Sequence, residues 1–298
     1  MTRRNLLAYS ACLFAVRGLP AEKRAAKTHL TKSRVSAITD EMGRTPEDAI
    51  AFAKQYPLQW VELRNIPGTD REFWSLSAPE LKSYAAALAA NKLKVSLLRT
   101  NLLRFSWDAD GKRWDRRKED FARAVAAADI LGVDKIRIFT GARVANPMAV
   151  YPNIVQTMEE MIPRAEDAKI RLLIENDPSQ NIGTCAELRA ILDMLPSKAI
   201  GFNWDPLNAL ALNETPWPAG YAQLPKARML NVQIGSEGLS TVPRRIDWRA
   251  MLDAMQRDGY QGEISVATEM PGVASGKATF EKTDNSIREV LHIVGELA

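Results

Sequence analysis

The chain has 298 residues, 46% of them hydrophobic and 26% charged, ordinary globular values that exclude disordered and fibrous classes. Its net charge of +4 comes from one end: residues 1–32 hold seven Lys or Arg against Glu22 alone, so the rest, with 33 basic and 35 acidic side chains, is near −2. The body therefore lacks the electrostatic footprint of a nucleic-acid binder, and two cysteines, Cys12 and Cys185, build neither a disulfide framework nor a thiolate metal site.

The N-terminus reads as an address label. Arg3 and Arg4 precede an apolar run from Leu6 to Val16, and Arg17-Gly18-Leu19-Pro20-Ala21 follows. A basic start, about a dozen apolar residues and a small-residue exit fit an export signal, and paired arginines favour the twin-arginine route. The bland alternative is a frayed terminal helix. The run is too short to cross a bilayer, which takes about 20 residues, so no stable membrane insertion is expected. The expected division is residues 1–32 as signal-like segment and 33–298 as one domain.

From residue 33 onward one unit recurs: a short apolar run, a loop, then an amphipathic helix. The runs are Val35–Thr39, Trp60–Leu63, Val95–Leu98, Ile136–Phe139, Ile170–Ile174, Ile200–Trp204, Met229–Ile234 and Ile264–Thr268. Short segments rich in Val, Ile and Leu are how strands buried on both faces read. Helix punctuation lies between them. Thr45 precedes Pro46 at a helix start, and Ser77…Glu80 and Thr184…Glu187 are capping boxes. Gly132 and Gly259 stand where helices stop. Eight alternating β and α units close into a (β/α)8 TIM barrel. An open doubly wound sheet would want a Gly-rich turn after the first strand, and Thr39-Asp40-Glu41-Met42-Gly43 is not one.

Barrel enzymes carry their chemistry at the C-terminal strand ends. There the chain places Glu175, Asp205, Gln233 and Glu269, ending the fifth to eighth strands. One acid at a strand end is usually a helix cap or a solvated group. Three converging carboxylates repel unless a cation sits among them, so the set predicts one divalent metal. The two histidines, His29 and His292, lie away from strand ends; an all-oxygen set suits Mn2+ or Mg2+ over Zn2+. Gln233, offering only a carbonyl oxygen, is the weakest of the four.

These residues also carry a likeness. From Ser33 to the C-terminus the chain resembles the sugar phosphate isomerase/epimerase superfamily of xylose-isomerase-like barrels. The matching pieces are Val61-Glu62-Leu63-Arg64, Leu173-Ile174-Glu175-Asn176, Asn203-Trp204-Asp205-Pro206, Ile246-Asp247-Trp248 and the stretch from Gly259 to Val266 before Glu269. The resemblance implies that Glu175, Asp205, Gln233 and Glu269 bind one metal ion, with the two glutamates doubling as acid and base. Two positions depart from the family pattern, which usually has His where this chain has Gln233 and Asn208. The zinc endonuclease branch is excluded, since it needs several histidines this chain lacks.

The implied chemistry is proton transfer beside a carbonyl, through an enediolate. Return of the proton to the same carbon is epimerisation, return to its neighbour isomerisation, and loss of a β-hydroxyl dehydration; a non-catalytic sugar-binding barrel is the rival from another class. A small carbohydrate is the expected partner, and a homo-oligomer is compatible with the reading. Asn208, Trp107, Trp114, Arg143 and Arg244 are the candidates for binding it. The tryptophans offer flat faces to sugar C–H surfaces or pack as a lid; the arginines hold an anionic group or stand as solvated loop charges. Glu62 either faces the mouth or makes a structural hydrogen bond.

Overall fold

Alternation within each strand decides the architecture. The computed structural model describes residues 30–107, 112–115, 117–235, 246–268 and 277–297. Eight parallel strands close on themselves in chain order: β1 Val35–Ile38, β2 Trp60–Leu63, β3 Lys94–Arg99, β4 Lys135–Ile138, β5 Arg171–Glu175, β6 Ile200–Trp204, β7 Met229–Gly235 and β8 Glu263–Ala267. Closure is made by β1 on β8, with Ser36 paired to Ser265. Each strand lies within a residue or two of its predicted run.

A helix follows every strand: α1 Pro46–Ala53, α2 Ala78–Ala90, α3 Lys118–Leu131, α4 Tyr151–Asp167, α5 Cys185–Met194, α6 Pro206–Ala211, α7 Trp248–Arg257 and α8 Lys277–Leu297. The punctuation works as its chemistry predicts. Thr45 accepts from the Asp48 N–H at 3.1 Å, and both capping boxes form. Gly132 ends α3 at φ +65° with no neighbour to obstruct it, a left-handed position that costs a glycine nothing.

The core lies between strands and helices. Val61, Leu63, Leu98, Ile136, Ile138, Leu172, Ile174, Phe202, Trp204, Val232, Ile234, Ile264 and Val266 join one cluster with residues of the helix layer such as Leu88, Phe121, Met158, Leu188 and Met251. The alternate residues of the same strands point into the barrel, because the side-chain period of a strand is two. That interior departs from the expectation of strands apolar on both faces. Ser36, Glu62, Arg99, Arg137, Glu175, Asn203, Asn231, Gln233 and Ser265 are all buried there or at its mouth.

Packing in the described residues reaches back past the expected boundary. Leu30 is fully buried in the core, and its N–H donates to Gln256 Oε1 at 2.8 Å. Residues 1–29, the core of the signal-like segment, lie outside the described residues. Among the described residues, no helix is long and apolar enough to cross a membrane.

Candidate active site

Arg99 ends β3 and Arg137 lies on β4, in register with one another. Both guanidiniums reach Glu175 at the end of β5. Arg99 Nη2 and Arg137 Nη1 each stand 3.2 Å from Glu175 Oε2, and Asn203 Nδ2 donates to the same oxygen at 2.6 Å. Arg137 Nη1 also lies 3.2 Å from Oε1. On its other side Arg99 Nη1 meets Glu62 Oε2 at 3.2 Å, while Asn231 donates to Glu62 Oε1 at 2.8 Å and to Asn203 Oδ1 at 2.9 Å. Glu62 thus has the structural hydrogen bonds foreseen for it, inside an ionic ring.

This pairing sets the charge states. Burial pushes the Glu175 carboxyl up, but the Arg99 and Arg137 charges and the Asn203 hydrogen bond more than offset it, so it is held below the usual glutamate value. Glu62 goes the other way: burial outweighs Arg99 and its hydrogen bonds, raising it. Arg137 is pulled down to about 10, chiefly by burial, against the opposing charge of Glu175.

The other predicted ligands gather nearby. Asp205 caps α6, its Oδ1 accepting from the Leu207 N–H at 2.9 Å and the Asn208 N–H at 3.2 Å. Turned so that both ends of its amide are satisfied, Gln233 donates to Asp205 Oδ2 at 2.8 Å and accepts from Asn203 at 3.0 Å and from Arg99. Asn176 locks the two strand ends together. It donates to the Asp205 carbonyl at 2.7 Å, accepts from the Asp205 N–H at 2.8 Å, and its own carbonyl takes the Asn208 side chain at 2.8 Å. Glu269 lies outside the described residues, but Thr268 before it is fixed. Its N–H and hydroxyl both donate to Glu41 Oε2, at 2.7 and 2.8 Å, and Glu41 in turn pairs with Arg64 at 3.0 Å.

A cavity of about 490 Å3 opens over this network, lined among others by Arg64, Arg99, Arg104, Arg137, Glu175 and Asn208. Its size suits a small hydroxylated molecule. Arg137 and Arg104 both lie over the Phe139 ring, at 4.2 and 4.6 Å from its centroid.

Of the remaining candidates, Asn208 lines the cavity, and Trp107, Trp114 and Arg143 are not among its lining residues. Trp107 is half-buried, donates to the Thr140 carbonyl at 3.0 Å and packs edge-on against Phe105. Trp114 is buried against Phe121 and donates to Glu160 at 2.9 Å, and both tryptophans line a separate cavity of about 150 Å3. Arg143 pairs with Glu187 at 2.7 Å. Arg244 lies outside the described residues. The residues that sequence reading passed over are Arg99, Arg137, Asn203 and Asn231. The signal was present: an arginine inside an otherwise aliphatic strand has no reason to be there unless a carboxylate meets it.

Does the donor set fit a divalent cation? Three of the four predicted ligands do converge. Yet both Glu175 oxygens are taken up by guanidinium and amide donors, Asp205 Oδ1 serves two backbone N–H groups, and the Gln233 oxygen faces Arg99. A divalent ion here would compete for those lone pairs beside two positive side chains. The oxygens of Glu175, Asp205 and Gln233 are all engaged, and Glu269, the fourth predicted ligand, lies outside the described residues.

The architecture is that of a (β/α)8 barrel with a buried acid–guanidinium network at its catalytic mouth. Residues 50–290 match the model of the xylose isomerase-like TIM barrel family, and the chain belongs to that family. No curated protein sequence matches it. Solved structures do, at low identity. A zinc-bound IolI protein superposes with a TM-score of 0.71 at 14% identity, over 89% of this chain and 99% of the other. D-allulose 3-epimerase from Methylomonas sp., in complex with D-allulose, gives 0.69 at 15%, over 90% and 98%. A magnesium complex of a xylose isomerase-like barrel from Mycobacterium smegmatis gives 0.65 at 14%, over 90% and 99%.

Proposed function

We propose that this chain is a sugar isomerase or epimerase that moves a proton at the carbon beside a carbonyl, on a ketose or keto-sugar. The observation that carries the reading is Glu175: a strand-end carboxylate, kept ionised by its partners, forming part of the wall of a polar cavity at the barrel mouth. A general base must start in that state. The pairing that keeps Glu175 charged also makes it a weaker base, so part of the driving force has to come from stabilising the enediolate oxygens. Glu269, ending the eighth strand in sequence, is the proposed partner that returns the proton. Family membership and an allulose epimerase among the structural neighbours support the substrate class. Zinc and magnesium belong to the neighbours named above, and no step is routed through a metal here.

The test is a panel of ketoses and inososes incubated with the protein in D2O, with and without Mn2+, and read by NMR. Deuterium should enter at carbon next to the carbonyl of at least one substrate. No exchange under either condition would overturn the reading.

A further inference from the structure

We infer that the Arg99–Arg137 guanidinium pair, not a divalent ion, supplies the positive charge that holds the reacting oxygens in this barrel. The inference rests on the proposed proton transfer and deepens it.

Three observations point the same way. First, the charges are unequally shared. One carboxylate, Glu175, serves two guanidiniums at 3.2 Å each. Arg99 has Glu62 as well, whereas among the described residues Glu175 is the sole carboxylate bonded to Arg137. Second, Arg137 has donor capacity to spare. It is 3% exposed, bonds Glu175 through Nη1, and its Nε is buried without a partner. Arg99 Nε is buried and unpartnered too. Buried donors of this kind call for a partner, and at a cavity wall a bound ligand or an ordered water supplies one. Third, both side chains line the mouth cavity, and Arg137 is braced over Phe139.

A guanidinium presents its N–H groups in a flat fork, which suits two oxygens held in one plane. An enediolate is such a group. In the proposed step the C–H bond breaks towards Glu175, and its electron pair forms the C=C bond. The carbonyl π pair moves onto oxygen, where the arginine fork meets the new charge. Reprotonation on carbon reverses the flow, so no oxidant, reductant or metal is required.

Oxalate, a planar two-carbon dianion with the outline of an enediolate, is the probe. EDTA-treated full-length protein should bind one oxalate by calorimetry, with the same affinity after Mn2+ is supplied. Mn2+ alone should give no stoichiometric binding. Arg137→Met should weaken oxalate roughly tenfold or more, the loss of one charge-assisted hydrogen bond, and Arg137→Lys should restore part of it. Oxalate binding that requires Mn2+, or one tight equivalent of Mn2+ lost in Glu175→Gln, would overturn the inference. Should the arginine variants fail to fold, the wild-type titrations with and without Mn2+ decide it alone. The two readings fail separately. Oxalate bound without metal but no deuterium exchange on any sugar sinks the isomerase reading and leaves the guanidinium seat. Exchange that appears only with Mn2+ sinks the seat and leaves the isomerase.

Discussion

Glu175 shows how one side chain holds a site together. Replacing it with Gln keeps the shape and an oxygen acceptor but removes the one carboxylate that, among the described residues, bonds Arg137. Breaking a buried pair from one side costs about 3–5 kcal/mol, because the remaining charge stays buried uncompensated. Glu175→Gln should therefore lower unfolding free energy by that order in urea titration. It should also cut turnover on whichever sugar exchanges deuterium by at least roughly 10². Asp205→Asn makes the useful contrast. Asp205 accepts backbone N–H groups at the start of α6, a role an asparagine oxygen also fills, so its stability loss should be the smaller of the two. Equal losses would mean that the guanidinium ring does not depend on Glu175 for its charge balance.

At the scale of elements, the strands were legible because their outward faces are aliphatic and their ends are punctuated. Their inward faces were not. In β4, Ile136 and Ile138 belong to the core while Arg137 between them points into the barrel. A run of four residues shows the aliphatic members first and hides the charge. The third predicted strand stopped at Leu98, one residue short of Arg99, for the same reason. Strand-end acids were found because they follow the runs; the arginines facing them come from other strands, and pairing across 38 and 76 positions in sequence leaves no local trace. Arg143 shows the converse, a loop charge that turned out to brace a helix. Its partner Glu187 is the third residue of α5 and accepts from the Gly183 and Thr184 N–H groups at 2.8 and 3.0 Å. Burial raises the Glu187 carboxyl, but Arg143 and those N–H groups outweigh it and hold it low. A depressed acid stabilises the fold above its unfolded pKa, near 4.5, and loses that contribution as pH falls through the lower folded value. Glu187→Gln keeps the capping geometry and loses the ion pair. It should cost on the order of 1 kcal/mol at pH 7, with the difference from wild type shrinking below about pH 4. Urea midpoints at pH 7 and pH 3.5 check this; a gap that widens in acid would reverse the assignment.

The whole molecule poses the question of where the barrel begins. The charge map set residues 1–32 apart as basic and signal-like, and the body beyond them as near neutral. Packing in the described residues reaches back past that division. Leu30 is fully buried, its N–H is tied to Gln256 on α7, and Gln256 in turn donates to the Leu297 carbonyl at the end of α8. Leu30 thus helps join the last two helices where the barrel closes on β1. Two truncations separate address label from structure. Removing residues 1–29 should leave the melting temperature and any exchange activity essentially unchanged. Removing 1–32 also deletes a buried leucine, and losing such a side chain costs about 2–5 kcal/mol, or a melting temperature lower by roughly 5 °C or more in a domain of this size. Differential scanning calorimetry of the three proteins distinguishes the cases. A large fall already at the first truncation would show that residues 1–29 pack against the barrel, and the export reading would lose its main support.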